Sequence, residues 1–201
     1  MVLLVALTAD RSARAGNKKF LLILLIVRHH PKEDVNNFPV LFIKMTNAVA
    51  IDVEMVGTGP KGSVSIPARI AIVDSNYTVL LDTFVKPRHP VTDFRTPHAG
   101  IKPGDMEGGI PYVEARQQVL RIISGKILVG HDLKHDLDVL ELTHNNTRDT
   151  AIHYREKGYG GGNTPSLESL ARDVLHIQME ERHNPVEDAR MAMKLYNADK
   201  W

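Results

Sequence analysis

The segment Ala50–Gly57, AIDVEMVG, sets two carboxylates, Asp52 and Glu54, two residues apart inside a run of alanine, isoleucine and valine. The β-branched content reads as a strand, and residues two apart on a strand share a face. Asp52 and Glu54 therefore point one way and Val53 the other, into a core. Two carboxylates this close repel unless one takes up a proton or a cation compensates, and buried charge without a partner is costly. An all-oxygen site of this kind suits Mg²⁺ or Mn²⁺. Taken alone, the spacing leaves two readings open, a solvated strand face and a cation site.

The rest of the composition restricts what such a site can serve. Cysteine is absent from the 201 residues, which excludes disulfide scaffolds and thiolate zinc sites. The formal net charge is +1, so no global basic field marks a protein that coats nucleic acid. An enzyme gripping a few nucleotides is compatible with that balance. Near the N-terminus, Phe20–Val27 (FLLILLIV) follows four basic residues in the order of a secretory leader. The sequence after it, RHHPKED, does not fit a cleavage site, and eight apolar residues are too few to span a bilayer. The expectation is no membrane role and an appended helix or strand, or a poorly ordered arm. Arg28–Asn37 reads as a linker.

From Val49 onward the pattern is that of one α/β domain. Strands are expected over Ala48–Glu54, Ala68–Val73 and Val79–Val85, with the last two joined by a turn, and a short buried strand over Lys126–Val129. Helices are expected over Pro111–Ser124, with Val113, Leu120 and Ile123 on one face, and over Asp132–Leu142, Ser166–Leu175 and Pro185–Tyr196. Pro87–Gly104 reads as an irregular loop and Lys157–Pro165 as a flexible one. Strands first, then alternation, imply a mixed sheet with helices packed on it.

Two more constellations carry chemistry. In GHDLKHDLDVL, Gly130–Leu140, Asp132 is a candidate N-cap and Asp136 lies one turn later on the same helical face. His131 and His135 have a spacing that can hold zinc, yet neither an HExxH pattern nor a third ligand accompanies them. In RHNPVEDARMAMKLY, Arg182–Tyr196, Asn184 reads as an N-cap, Pro185 as the first helical residue and Glu187 as the partner of a capping box. Asp188 then falls in the first turn, with His183 just before the cap. Locally, spacing does not separate ligands from capping acids or surface groups.

Taken in chain order, Asp52, Glu54, Asp136, His183 and Asp188 resemble the DEDDh subgroup of DnaQ-like 3′→5′ exonucleases, in which a histidine stands five residues before the last aspartate. The sister subgroup has tyrosine four before it, and position 184 is Asn. AIDVEMVGTGP, VTDFRT followed by Gly100, GKILVGHDLKHDL, SLESLA and HNPVEDARMAMKLY are similar to the RNA exonuclease four and interferon-stimulated exonuclease family, over Val49–Tyr196. The family usually carries Cys at the position of Val53, which faces the core. Residues 1–47 match nothing in it and stand as an unassigned extension, with the exonuclease domain over 48–198.

The resemblance implies an RNase H-like α/β fold, a mixed β-sheet flanked by helices. It further implies two divalent cations, Mg²⁺ or Mn²⁺, held by Asp52, Glu54, Asp136 and Asp188, with His183 as general base. It selects Asp136 over Asp132. The reaction implied is release of 5′-mononucleotides from the 3′ end of single-stranded RNA, in RNA processing or turnover within the nucleus or nucleolus, with the cytoplasm as the other compartment. The alternatives are DNA as substrate and a non-catalytic RNA-binding protein on the same fold. Substrate contacts are expected from Met55, which follows Glu54, from Arg95 in the cationic loop of Lys86, Arg88 and Lys102, and from His131.

Overall fold

The structure, a computed structural model, describes residues 4–9, 20–25, 47–179 and 183–201. The chain divides into two compact units, 1–46 and 47–201. In the first, β1 (Leu4–Ala9) pairs antiparallel with β2 (Phe20–Leu25), so the apolar run is a strand. The expected linker at 28–37 lies outside the described residues. Among the described residues no helix is long and apolar enough to cross a membrane.

The second unit is built on a seven-stranded mixed sheet. Its centre is β3 (Ala48–Thr58), flanked by β4 (Val64–Asp74), which pairs antiparallel with β5 (Val79–Lys86). On the other side of β3 lie β6 (Val91–Asp93), antiparallel, and β8 (Ile127–Gly130), parallel, which in turn pairs parallel with β9 (Thr147–Asp149). A two-residue β7 (Ile110–Pro111) extends the β5 edge. The expected loop 87–104 therefore contains β6 and a one-turn helix α1 (Thr96–Ala99).

Alternation along β3 separates two cores. Val49, Ile51 and Val53, with Ile70, Ile72 and Leu128, meet helices α2 (Tyr112–Ile123) and α3 (Leu133–Val139). Ala48, Ala50, Val73 and Val129 meet Ala189, Ala192 and Met193 of α6 (Pro185–Ala198) on the opposite face. The small alanines of β3 let that helix lie close. The α2 face differs from expectation. Tyr112, Ala115, Val119 and Ile123 are buried, whereas Val113 is 62% exposed and Leu120 38%. The i, i+3, i+7, i+11 stripe that includes Ala115 faces the sheet, and Val113 and Leu120 lie off it. Helices α4 (Thr150–Glu156) and α5 (Leu167–Leu175) pack on the far side of α6 through Tyr154, Leu170 and Leu195.

One gap in the sheet positions the site. β8 pairs with β3 only at Ala48–Ala50, and β6 only at Gly57 and Thr58. Between them, from Ile51 to Val56, the β8 side of β3 has no strand partner among the described residues.

Candidate active site

The acids converge at this gap from three elements. Asp52 and Glu54 point toward α6, as the alternation requires. Asn184 caps α6 by accepting from the Val186 N–H at 3.2 Å, and Pro185 supplies the first helical residue. That cap turns the first turn toward β3 and delivers Asp188. Ligand oxygens of Asp52, Glu54 and Asp188 lie within 4.8 Å of one another. Glu187 departs from the expected capping box. Its carboxylate accepts from Arg190 Nη1 at 2.5 Å.

Asp136 arrives from the other layer. Helix α3 packs under β3 through Leu133 and Leu140, and Asp136 is 5% exposed. The Val53 backbone N–H, left free by the gap, serves the Asp136 carboxylate. Asp136 stands outside the three-acid cluster, but its charge reaches Asp52. Its Oδ2 is buried with no hydrogen-bond partner among the described residues, an orphan acceptor beside the acids.

Electrostatics agree with a site short of positive charge. Burial, then the charges of Asp136, Asp188 and Glu54, push the Asp52 carboxyl well above its ordinary range. Burial and Asp188 raise Glu54 to about 8, opposed by Arg69 directly across on β4. Burial and Glu187 raise Asp188 to about 6. Burial is also the main cause of a raised Asp136, followed by Asp132 and Glu54. Four proton-hungry acids and an orphan oxygen fit a divalent cation, whose charge would remove every one of these penalties.

Asp52 and Asp188 lie in the wall of a cleft of about 300 Å³, together with His131, Leu167, Glu168, Met179 and His183. His183 has a left-handed backbone, φ 65°. His131 Nδ1 lies 2.9 Å from Thr150 Oγ1, whose own proton goes to the Gly130 carbonyl at 3.0 Å. The Thr150 oxygen is thus the acceptor and His131 Nδ1 carries the proton. Burial lowers the His131 pKa, opposed by Asp149 and Asp132.

Other sequence-derived candidates sit apart from the acids. Met55 is partly buried against the α2–α3 core, on the face opposite Glu54. Arg95 donates through Nη1 to Ser65 Oγ at 2.9 Å and through Nη2 to the Gly62 carbonyl at 3.0 Å, which ties two loops together. His135 is exposed and 3.3 Å from Asp132, while His131 turns to Thr150, so the two histidines do not converge on one ion.

Asp132 corrects one expectation. It occupies the N-cap position of α3 in the left-handed region, φ 56°, without a side-chain capping bond. The cap comes from Asp149 at the end of β9, which accepts from Asp132 N–H at 3.1 Å and Leu133 N–H at 2.9 Å. The same carboxylate caps α4 through Ala151 N–H at 2.9 Å. Sequence reading passed over β9, α4 and Asp149. The signal available was DTAIHY, an N-cap aspartate ahead of an apolar turn.

Comparison with known proteins agrees with this geometry. An exonuclease family model, RNase_T, matches residues 49–196. RNA exonuclease 4 of Saccharomyces cerevisiae is 48% identical over 156 residues, covering 76% of this chain and 54% of that protein. RNA exonuclease 4 of Candida glabrata is 43% identical over 162 residues, covering 78% and 61%. The chain therefore spans a little over half the length of these relatives. Among solved structures, the pseudoubiquitin hydrolase–RNA exonuclease module of Saccharomyces cerevisiae Pan2, in complex with A7 RNA, superposes with a TM-score of 0.66 at 26% identity, over 75% of this chain and 28% of that one. With three quarters of its length matched and its acids gathered where the sheet opens, the chain belongs to the RNase_T exonuclease family.

Proposed function

We propose that the chain is a divalent-cation-dependent 3′→5′ exonuclease that removes 5′-mononucleotides from single-stranded RNA. The observation that carries this reading is the convergence of Asp52, Glu54 and Asp188 within 4.8 Å at the wall of a cleft that also holds His183. Asp52, Glu54, Asp188 and Asp136 would hold two ions, Mg²⁺ or Mn²⁺. Such ions, when bound, supply charge to offset that of the phosphate and of the oxygens entering and leaving it.

The chain's own residues then have separate tasks. His183 takes a proton from the attacking water at a ring nitrogen, the part of a general base. The water oxygen forms a bond to the 5′-phosphorus of the terminal nucleotide. The bond to the preceding 3′-oxygen breaks, and that oxygen leaves with a proton from solvent. Leu167 and Met179 give the cleft apolar wall on which a terminal base can rest. RNA as substrate is supported by the names of the relatives and by the RNA-bound Pan2 module.

The test is a 5′-labelled RNA oligomer with Mg²⁺, Mn²⁺ or EDTA, beside the matched DNA. A ladder shortening one nucleotide at a time, lost in EDTA and on a 3′-blocked strand, is expected. Internal cleavage, or equal rates in EDTA, would overturn the reading, and faster loss of DNA would reassign the substrate.

A further inference from the structure

We infer that Gly100 is a positioning residue for His183, and that the turn carrying it is the back wall against which the histidine is set. This rests on the reading of His183 as general base. The turn is rigidly held. Ala99 and Ile101, on either side of Gly100, are 4% and 3% exposed and pack with Val56 of β3 and Ile66 of β4. The Gly100 N–H donates to the Thr96 carbonyl at 3.0 Å, and the Arg95 carbonyl accepts from the Ala99 N–H at 2.8 Å. Arg95 in turn fastens the start of the turn to Gly62 and Ser65, and its own N–H donates to Asp93 Oδ1 at 2.9 Å.

Gly100 presents bare backbone outward from this anchored turn. A Cβ placed there would lie 3.2 Å from the His183 Cβ and 3.3 Å from the His183 carbonyl oxygen. Both approaches are tighter than ordinary carbon contacts. Gly100 also has φ 65°, a conformation that favours glycine. Its two neighbours are buried in the core, so a side chain at 100 pushes on His183 rather than on the turn. The consequence is that the distance from the imidazole to the acid cluster is fixed from α1, an element that carries none of the acids.

The experiment is a double-mutant cycle read by single-turnover cleavage of a short 5′-labelled RNA. Gly100→Ala, and Gly100→Asn as the residue that enters the left-handed region more readily, are each made alone and with His183→Ala. Displacement of a catalytic group by about 1 Å can cost about 10²-fold. The contact is relieved by a shift of a few tenths of an ångström, so each Gly100 variant is expected to lose up to about 10-fold in kcat with KM and Mn²⁺ affinity unchanged. In the His183→Ala background the same substitutions are expected to change nothing further. Thermal melting of each variant checks folding, and Gly100→Asn serves where Gly100→Ala melts below the assay temperature. If His183→Ala is slow and the Gly100 losses still multiply onto it, Gly100 acts elsewhere and the inference is wrong. Wild-type rates in both Gly100 variants sink it equally. If His183→Ala itself cleaves at the wild-type rate, the general-base reading falls and takes this inference with it.

Discussion

Asp149 Oδ2 accepts a hydrogen bond from the Leu133 N–H at 2.9 Å, so helix α3 is capped by a strand-end carboxylate sixteen residues downstream. The other oxygen of Asp149 caps α4. One side chain thus fixes the start of the helix that delivers Asp136. A lost N-cap costs about 1 kcal/mol, so Asp149→Ala is expected to cost about 2 kcal/mol across two helices, a fall of about 4–8 °C in Tm. Asp149→Asn, which keeps one acceptor, should fall by less. Equal melting of wild type and Asp149→Ala in calorimetry would show that the double cap is not structural.

The neighbouring aspartates should separate sharply. Asp132→Asn is expected to be nearly silent, because Asn tolerates the left-handed region and Asp132 makes no side-chain capping bond. Asp136→Asn should lower kcat severely, because the substitution removes a buried charge from the acid site. Steady-state rates on labelled RNA decide it, and the reverse ranking would mean that the wrong aspartate has been assigned to the ions.

Asp52→Asn and Asp188→Asn are each expected to abolish turnover while leaving the fold intact. In the metal-free protein either should raise Tm, since each removes a charge whose neighbours penalise it. Circular dichroism melts beside activity assays test both halves. Near wild-type turnover in either variant would remove that residue from the site.

Stability of the metal-free protein should depend on pH with a definite sign. Glu54 is raised from 4.5 to about 8, and Asp188 from 3.8 to about 6. Acids with a raised folded-state pKa hold their protons more tightly folded than unfolded. Their stabilisation is complete below the unfolded values and is lost as pH climbs through the folded ones. Tm without metal is therefore expected to fall between about pH 4 and pH 8, and added Mn²⁺ should restore most of it at the upper end. A melting temperature that rises through this window without metal would contradict the burial of these acids.

His183→Ala is expected to lose about 10²–10⁴-fold in single-turnover rate while binding Mn²⁺ as the wild type does by calorimetry. Asp188→Asn should damage both quantities. Loss of Mn²⁺ binding in His183→Ala would make the histidine a ligand rather than a base.

Much of this was legible from the residues. The strand carrying Asp52 and Glu54 announced itself because two charges interrupt an otherwise apolar run. Asn184 and Pro185 announced α6 because capping chemistry is local. The strand β9 stayed hidden, since three residues, Thr147, Arg148 and Asp149, are too few for alternation to register. Helix α2 was placed correctly but its buried face was not, because Ala115 is nearly invisible to a reading weighted by side-chain size. The tasks of Asp149 and Gly100 depend on contacts between segments 16 and 83 residues apart in number, Asp149 with Leu133 and Gly100 with His183, and no local pattern encodes them.

The interruption beside β3 has one more consequence. From Ile51 to Val56 an interior strand shows an unpaired edge, covered there by α3 and its Asp136. Uncovered edges of apolar strands recruit further strands from other molecules. A chain in which α3 has come away would expose AIDVEM as a template for intermolecular pairing. The gap beside the acid-bearing strand is thus also the weak point for self-association. Substitutions that loosen α3 should show themselves as turbidity on mild heating, even at sites far from any charge.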